Sequence, residues 1–145
     1  MSAPASGALH HVDLTVSDFR RSKEFYARVL PLMGFERLPK EFGAVAWRGA
    51  SIVAIQPAKP ELRDRPHDRY APGIHHLAFH APSREAVDAL HEQLVALGVV
   101  ILDPPADYPY SAGYYAVFFA DPDGVKLEYV HSPIWSPALP PSVPT

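Results

Sequence analysis

The chain contains no cysteine, which removes disulfides, zinc–thiolate sites and thiol nucleophiles from consideration. It also lacks any apolar run approaching the roughly 20 residues of a membrane-spanning helix. Its opening stretch, MSAPASGALHH, has neither the basic patch nor the continuous apolar core of a secretion signal. A cytoplasmic protein without membrane association is expected. Blocks of like charge are missing too: the formal charge is −3 and the charged residues are interspersed, so there is no basic footprint for nucleic acid. What stands in excess is histidine, eight residues of it. A metal held by this chain must therefore use imidazole, carboxylate or amide oxygen.

A length of 145 residues suits one compact core, or two small halves sharing one. The sequence favours halves, because it repeats itself. Leu9-His10-His11-Val12 opens one segment and Ile74-His75-His76-Leu77 opens another. Each is followed by a strand-like alternation, a helical pattern, a glycine and further strand-like sequence. The expected fold is α+β, two βαβββ modules over residues 8–57 and 74–131. Residues 58–73 read as a linker and 132–145 as a proline-rich extended arm, together completing a single domain over 1–145.

In the first module, Asp18 is placed to cap a helix whose apolar stripe is Phe25, Tyr26, Val29 and Leu30, closed by Pro31 and Gly34. Strands are expected near 35–38, 43–48 and 51–56. In the second, Ser83 is the cap, Val87, Leu90, Leu94 and Leu97 keep helical spacing, and Gly98 supplies a left-handed stop. Strands are expected near 99–102, 114–120 and 125–131, with Asp121-Pro122-Asp123-Gly124 as the last turn.

Strand parity then sorts the histidines. Val12, Leu14 and Val16 share the face expected to meet the helix, which leaves His11, Asp13 and Thr15 on the other. Likewise Leu77 and Phe79 point to the helix, and His76, Ala78 and His80 away. On the last strand Lys126, Glu128 and Val130 share a face opposite Leu127 and Tyr129. If the faces turned from the helices line one concavity, His11, His76 and Glu128 converge as two imidazoles and a carboxylate. That set suits Fe(II), Mn(II), Zn(II), Co(II) or Ni(II) and keeps positions open for substrate. The plain alternative is a pair of surface histidines and an exposed carboxylate. His10 and His75, by the same parity, are expected to turn toward the helical layer.

These motifs carry a resemblance. The runs His11-Val-Asp-Leu-Thr-Val-Ser-Asp18 with Ser22, Phe25-Tyr26 and Leu30, then Gly73-Ile-His-His76-Leu-Ala-Phe, then Asp121-Pro-Asp-Gly-Val-Lys-Leu-Glu128-Tyr-Val, resemble the vicinal oxygen chelate superfamily. That group includes glyoxalase I, extradiol dioxygenases, epimerases and bleomycin-binding proteins. The resemblance implies that the two modules form curved mixed sheets around a metal-binding cleft, with His11, His76 and Glu128 on three metal-ligand positions. It implies a fourth on the strand near 51–56, where glyoxalase I has a glutamate that also serves as base. This chain offers only Ala54 and Gln56 on the matching parity, so Gln56 is a candidate neutral ligand and authentic glyoxalase I activity is not expected.

The resemblance further implies Lewis-acid stabilisation of an oxyanion on a small oxygenated substrate, in a lyase, isomerase or dioxygenase role, and a homodimer with ligands contributed across its interface. The rival is a metal-free, antibiotic-sequestering protein of the bleomycin-resistance kind. His80 is a candidate base or substrate contact, against the alternative of an exposed histidine. Asp13 and Thr15 are candidate substrate contacts. Tyr110, in a tyrosine-rich segment with Tyr108, Tyr114 and Tyr115, is a candidate pocket wall, although periodicity there does not separate pocket from core.

Overall fold

The structure, a computed structural model, describes residues 3, 5–39 and 45–134. The chain divides into two compact units, residues 1–66 and 67–145. Residues 135–145 of the expected proline-rich arm, and positions 43 and 44 of the strand expected at 43–48, lie outside the described residues.

The first unit runs β1 (His11–Val16), α1 (Phe19–Val29), β2 (Glu36–Arg37), β3 (Val45–Arg48) and β4 (Ile52–Pro57). The helix begins where the sequence says it should: Asp18 accepts a hydrogen bond from the Arg21 N–H at 3.0 Å, satisfying one of the donors a helix start leaves open. A single 3-10 turn, Leu30–Met33, follows the helix. It ends at Gly34, whose φ of +87° is costly for any residue with a Cβ. The buried stripe of Tyr26, Val29 and Leu30 faces a sheet ordered β1-β4-β3-β2, parallel between β1 and β4 and antiparallel elsewhere. Val53, Ile55 and Trp47 are buried with it. The Trp47 ring stands 6.2 Å from that of Tyr26. At about 1.5–3 kcal/mol for each large side chain removed from water, this layer stabilises the unit.

The second unit repeats the plan with β5 (His76–His80), α2 (Arg84–Ala96), β6 (Val100–Asp107), β7 (Tyr115–Ala120) and β8 (Lys126–His131). Its sheet order is β5-β8-β7-β6, again with the first two strands parallel. Ser83 caps α2 by accepting from the Ala86 N–H at 3.1 Å. Val87, Leu90 and Leu94 are buried on its inner face, as are Val117, Phe119, Leu127 and Tyr129 of the sheet. Asp121 shapes the last turn, its carboxylate accepting from the Asp123 and Val125 N–H groups at 2.9 and 2.8 Å. Two four-stranded mixed sheets with helices, neither closed into a barrel, give the α+β architecture expected.

One strand departs from expectation. β6, expected to stop near residue 102, continues to Asp107 through Pro104 and Pro105. It is an edge strand, and its register shifts between Ile101 and Asp103 and again between Asp103 and Ala106. Bulges on a sheet edge accommodate residues that cannot donate to the ladder.

Candidate metal centre and pocket

Parallel pairing fixes which residues stand side by side. In the second unit His76, Ala78 and His80 of β5 face Lys126, Glu128 and Val130 of β8 in register. Leu127 and Tyr129 occupy the helix side, so the alternating set, Glu128 included, is turned to the other face. There the structure brings His76 and Glu128 together: Nε2 of His76 lies 3.0 Å from Oε2 of Glu128. The glutamate is only 1% exposed. Removing a carboxylate from water costs several kcal/mol unless partners replace the lost solvation. Here Tyr114 does so from one side, its phenol donating to the second oxygen, Oε1. Burial first, and the bond to Glu128 next, push the Tyr114 hydroxyl above the ordinary tyrosine range, so it remains a donor. Both carboxylate oxygens are thus aimed.

His76 is held from behind. Its Nδ1 lies 2.7 Å from Nδ1 of His75, so one ring's N–H donates to the other's lone pair. The rings meet edge to face at 5.0 Å. The first unit carries the same device: Nδ1 of His10 and Nδ1 of His11 are 2.8 Å apart, with rings edge to face at 5.1 Å. His10 and His75 were expected to face the helical layer; instead both are exposed, each beside its neighbouring histidine. Each precedes the first residue of its strand, so strand parity does not govern it. Loss of solvation, followed by the nearby charges of His76, Lys126 and Arg69, holds His75 below the ordinary histidine range.

A cavity of about 510 Å³ opens over this face of the second unit. Glu128, His76, His75, His80 and Lys126 give it polar groups. Its aromatic side comes from Tyr110, Tyr114 and Phe118. Tyr108 and Tyr110 stack at 5.5 Å with planes 4° apart, and Tyr110 meets Tyr114 edge to face at 5.1 Å. Tyr110 remains 62% exposed. Tyr115 points to the opposite face, donating to Asp88 of α2 at 2.5 Å beneath the Arg84 guanidinium.

His80 lies on the pocket's lining, one strand repeat beyond Ala78 and opposite Val130. In the first unit His11, Asp13 and Thr15 are exposed along one side of β1, opposite Ile52, Ala54 and Gln56 of β4. The two registers are equivalent, so Ala54, opposite Asp13, takes the place in its module that Glu128, opposite Ala78, takes in the other. Gln56 is exposed one repeat further on, opposite Thr15. Among the described residues no group of three or more His, Asp or Glu side chains is gathered at one point; His76 and Glu128 form a pair.

Phe118, Lys126 and the tie from Tyr114 to Glu128 were not singled out by sequence reasoning. Lys126 shares the parity of Glu128, a usable signal. Phe118 sits in the run Val117-Phe118-Phe119, apolar on both faces, where alternation is silent.

The described residues include no helix long and apolar enough to cross a membrane. Residues 8–129 match the model of the family described as the Glyoxalase/Bleomycin resistance protein/Dioxygenase superfamily. YqjT of Bacillus subtilis (strain 168), an uncharacterized protein, is 36% identical over 126 residues, covering 84% of this chain and 97% of its own. The crystal structure of a candidate glyoxalase from Bacillus halodurans superposes with a TM-score of 0.73 at 30% identity, covering 86% of this chain and 96% of that one. A glyoxalase/bleomycin resistance protein from Albidiferax ferrireducens gives a TM-score of 0.65 at 27% identity, covering 86% and 98%.

Proposed function

The chain belongs to the Glyoxalase/Bleomycin resistance protein/Dioxygenase superfamily, and from that premise we propose that it is a metal-dependent enzyme activating a small oxygenated substrate on one divalent cation. The observation that carries this reading is the buried Glu128 carboxylate, with one oxygen 3.0 Å from His76 Nε2 and the other held by Tyr114. An imidazole nitrogen and a carboxylate oxygen already side by side are donors fitted to Fe(II), Mn(II), Zn(II), Co(II) or Ni(II).

His11, the residue of β1 that matches His76 of β5, is the third ligand, and a homodimer that shares ligands across its interface is the assembly we propose. Ala54, at the place corresponding to Glu128, has no donor atom to add. Gln56 is the nearest amide oxygen on the same strand face and remains the candidate fourth ligand.

A bound divalent cation supplies Lewis-acid stabilisation of negative charge developing on a substrate oxygen, worth several kcal/mol in a partly dry cleft. The chain's own residues do the rest. Tyr114 keeps Glu128 oriented. His75 fixes the ring of His76, so that Nε2 faces the pocket. His80 is positioned to take or return a proton or to contact substrate, while Tyr110 and Phe118 exclude water from one side. Asp13 and Thr15 are the substrate contacts proposed from the first module. The reaction falls in the lyase, isomerase or dioxygenase classes, without the glutamate base of glyoxalase I.

The aromatic wall favours a second reading, metal-free sequestration of an antibiotic in the same pocket. Elemental analysis separates the two. Protein exchanged against each of the five cations is expected to hold about one ion per site, lost in His76→Ala and in Glu128→Ala, with circular dichroism confirming that the variants fold. Wild-type protein that retains no metal and binds an aromatic antibiotic tightly would establish the second reading instead.

A further inference from the structure

The pocket holds one charge that the proposed chemistry does not use. Lys126 opens β8, two residues before Glu128 and on the same face, which spaces the two by about 7 Å along the strand. Its ammonium lies 4.3 Å from the centroid of the Phe118 ring. Phe118 pairs in register with Glu128 and packs edge-on against His76 at 6.1 Å. One aromatic ring therefore touches both the lysine head and the candidate ligand pair.

Among the described residues no carboxylate forms an ion pair with Lys126. Glu128 is committed to Tyr114 and His76. The other nitrogen-bearing side chains on the lining, those of His75, His76 and His80, offer Lys126 no negative charge. A cationic ligand has nothing to gain at this end of the pocket. A neutral one leaves the ammonium without a counter-charge. An anion gains a charge-assisted hydrogen bond that a free surface lysine would spend on water. Tyr110, stacked parallel on Tyr108, puts an exposed ring on the lining where an aromatic or apolar body can lie.

We propose that Lys126 anchors an anionic group of the substrate, so that the pocket takes a small organic carboxylate with an aromatic or apolar body. The inference deepens the reading of this pocket as a metal-assisted substrate site and rests on it.

The test uses two probes of one shape, 3,4-dihydroxybenzoate and its neutral amide, 3,4-dihydroxybenzamide, titrated calorimetrically into Zn(II)-loaded full-length protein. The acid is expected to bind about tenfold more tightly than the amide, the size of one charge-assisted contact, with the advantage shrinking as salt is raised. Lys126→Met keeps the stem that covers Phe118 and removes the charge. It should retain the metal at unchanged stoichiometry while the preference for the acid falls to near one.

Equal binding of acid and amide by the wild type overturns the inference, as does a preference that survives in Lys126→Met, which would put the anion elsewhere. Failure of both probes to bind metal-loaded protein also overturns it. Wild type that takes up no metal removes the functional reading instead. The same titrations on metal-free protein then decide the lysine, equal affinities counting against it.

Discussion

Ala54 and Glu128 hold the same place in two equivalent ladders. Ala54 pairs with Asp13 across β1 and β4, Glu128 with Ala78 across β5 and β8, and each partner lies two residues past a strand-opening histidine. One module thus carries a carboxylate where the other carries a methyl group. The consequence is chemical. A carboxylate at Ala54 would have supplied both a further ligand and a base, and the alanine supplies neither. The metal-loaded protein, assayed for glyoxalase I turnover with each of the five cations, is expected to be inactive. Turnover with any of them would show that another residue, His80 first among those on the pocket lining, serves as base.

Tyr114 is expected to act through Glu128. Tyr114→Phe deletes a hydrogen bond to a buried carboxylate and should cost about 1–2 kcal/mol of stability. Metal affinity should fall about tenfold as the carboxylate loses its orientation. The pH dependence has a definite sign. The folded-state ionisation of Tyr114 is raised, by burial and then by Glu128. Its stabilising contribution is therefore complete below the ordinary tyrosine value near 10 and is lost as pH rises through the folded-state value. The gap in Tm between wild type and Tyr114→Phe should be flat at neutral pH and close at strongly alkaline pH. A gap that instead stayed open at strongly alkaline pH would remove the Tyr114 hydroxyl's bond to Glu128 as its cause.

Much of this was readable from residue order, for a physical reason. Where one strand face is buried and the other is not, alternation reports direction: Val12, Leu14 and Val16 against His11, Asp13 and Thr15, or Leu127 against Glu128. Caps were legible for the same reason, since Asp18 and Ser83 satisfy backbone donors that nothing else nearby could. Alternation failed where it does not apply. His10 and His75 stand outside their strands and turned to their neighbours rather than to the helices. Tyr114 stands just before β7 and Phe118 within a run apolar at every position, so only the fold could show which side each takes. The persistence of β6 through Pro104 and Pro105 was hidden because proline reads as a strand breaker unless the strand is known to be an edge.

His75 and His10 are expected to matter through the rings beside them. Each touches its neighbour through Nδ1, which leaves Nε2 of His11 and His76 turned from that contact, on His76 toward Glu128, as the nitrogen proposed to ligate. Replacing the histidine behind a ligand removes the group that fixes the ring. His75→Ala should therefore weaken metal binding by about 10- to 100-fold, the usual cost of losing such support, with the fold retained. His75→Asn, which can still offer a hydrogen-bond partner, should recover part of the loss. Competition titration against a chromophoric chelator measures both. Unchanged affinity in His75→Ala would mean that His76 is oriented by its packing against Phe118 alone.

Removing the charge of Glu128 should abolish metal binding while leaving the metal-free protein about as stable as before. The carboxylate is buried at 1% exposure, and its desolvation is offset by Tyr114 and His76 rather than turned into a net gain. In Glu128→Gln the amide oxygen still accepts from Tyr114, and the amide N–H can donate to Nε2 of His76. The contacts survive, and only the cost of burying a charge is relieved. Metal-free Glu128→Gln is therefore expected to unfold within about 1 kcal/mol of wild type, on either side, in urea. Excess metal should raise the wild-type midpoint and leave the variant's where it was, because a cation stabilises only a fold that binds it. A large loss in the metal-free variant would instead mark Glu128 as a structural residue of β8 whose charge the core requires, and the functional reading of this pocket would lose its carboxylate.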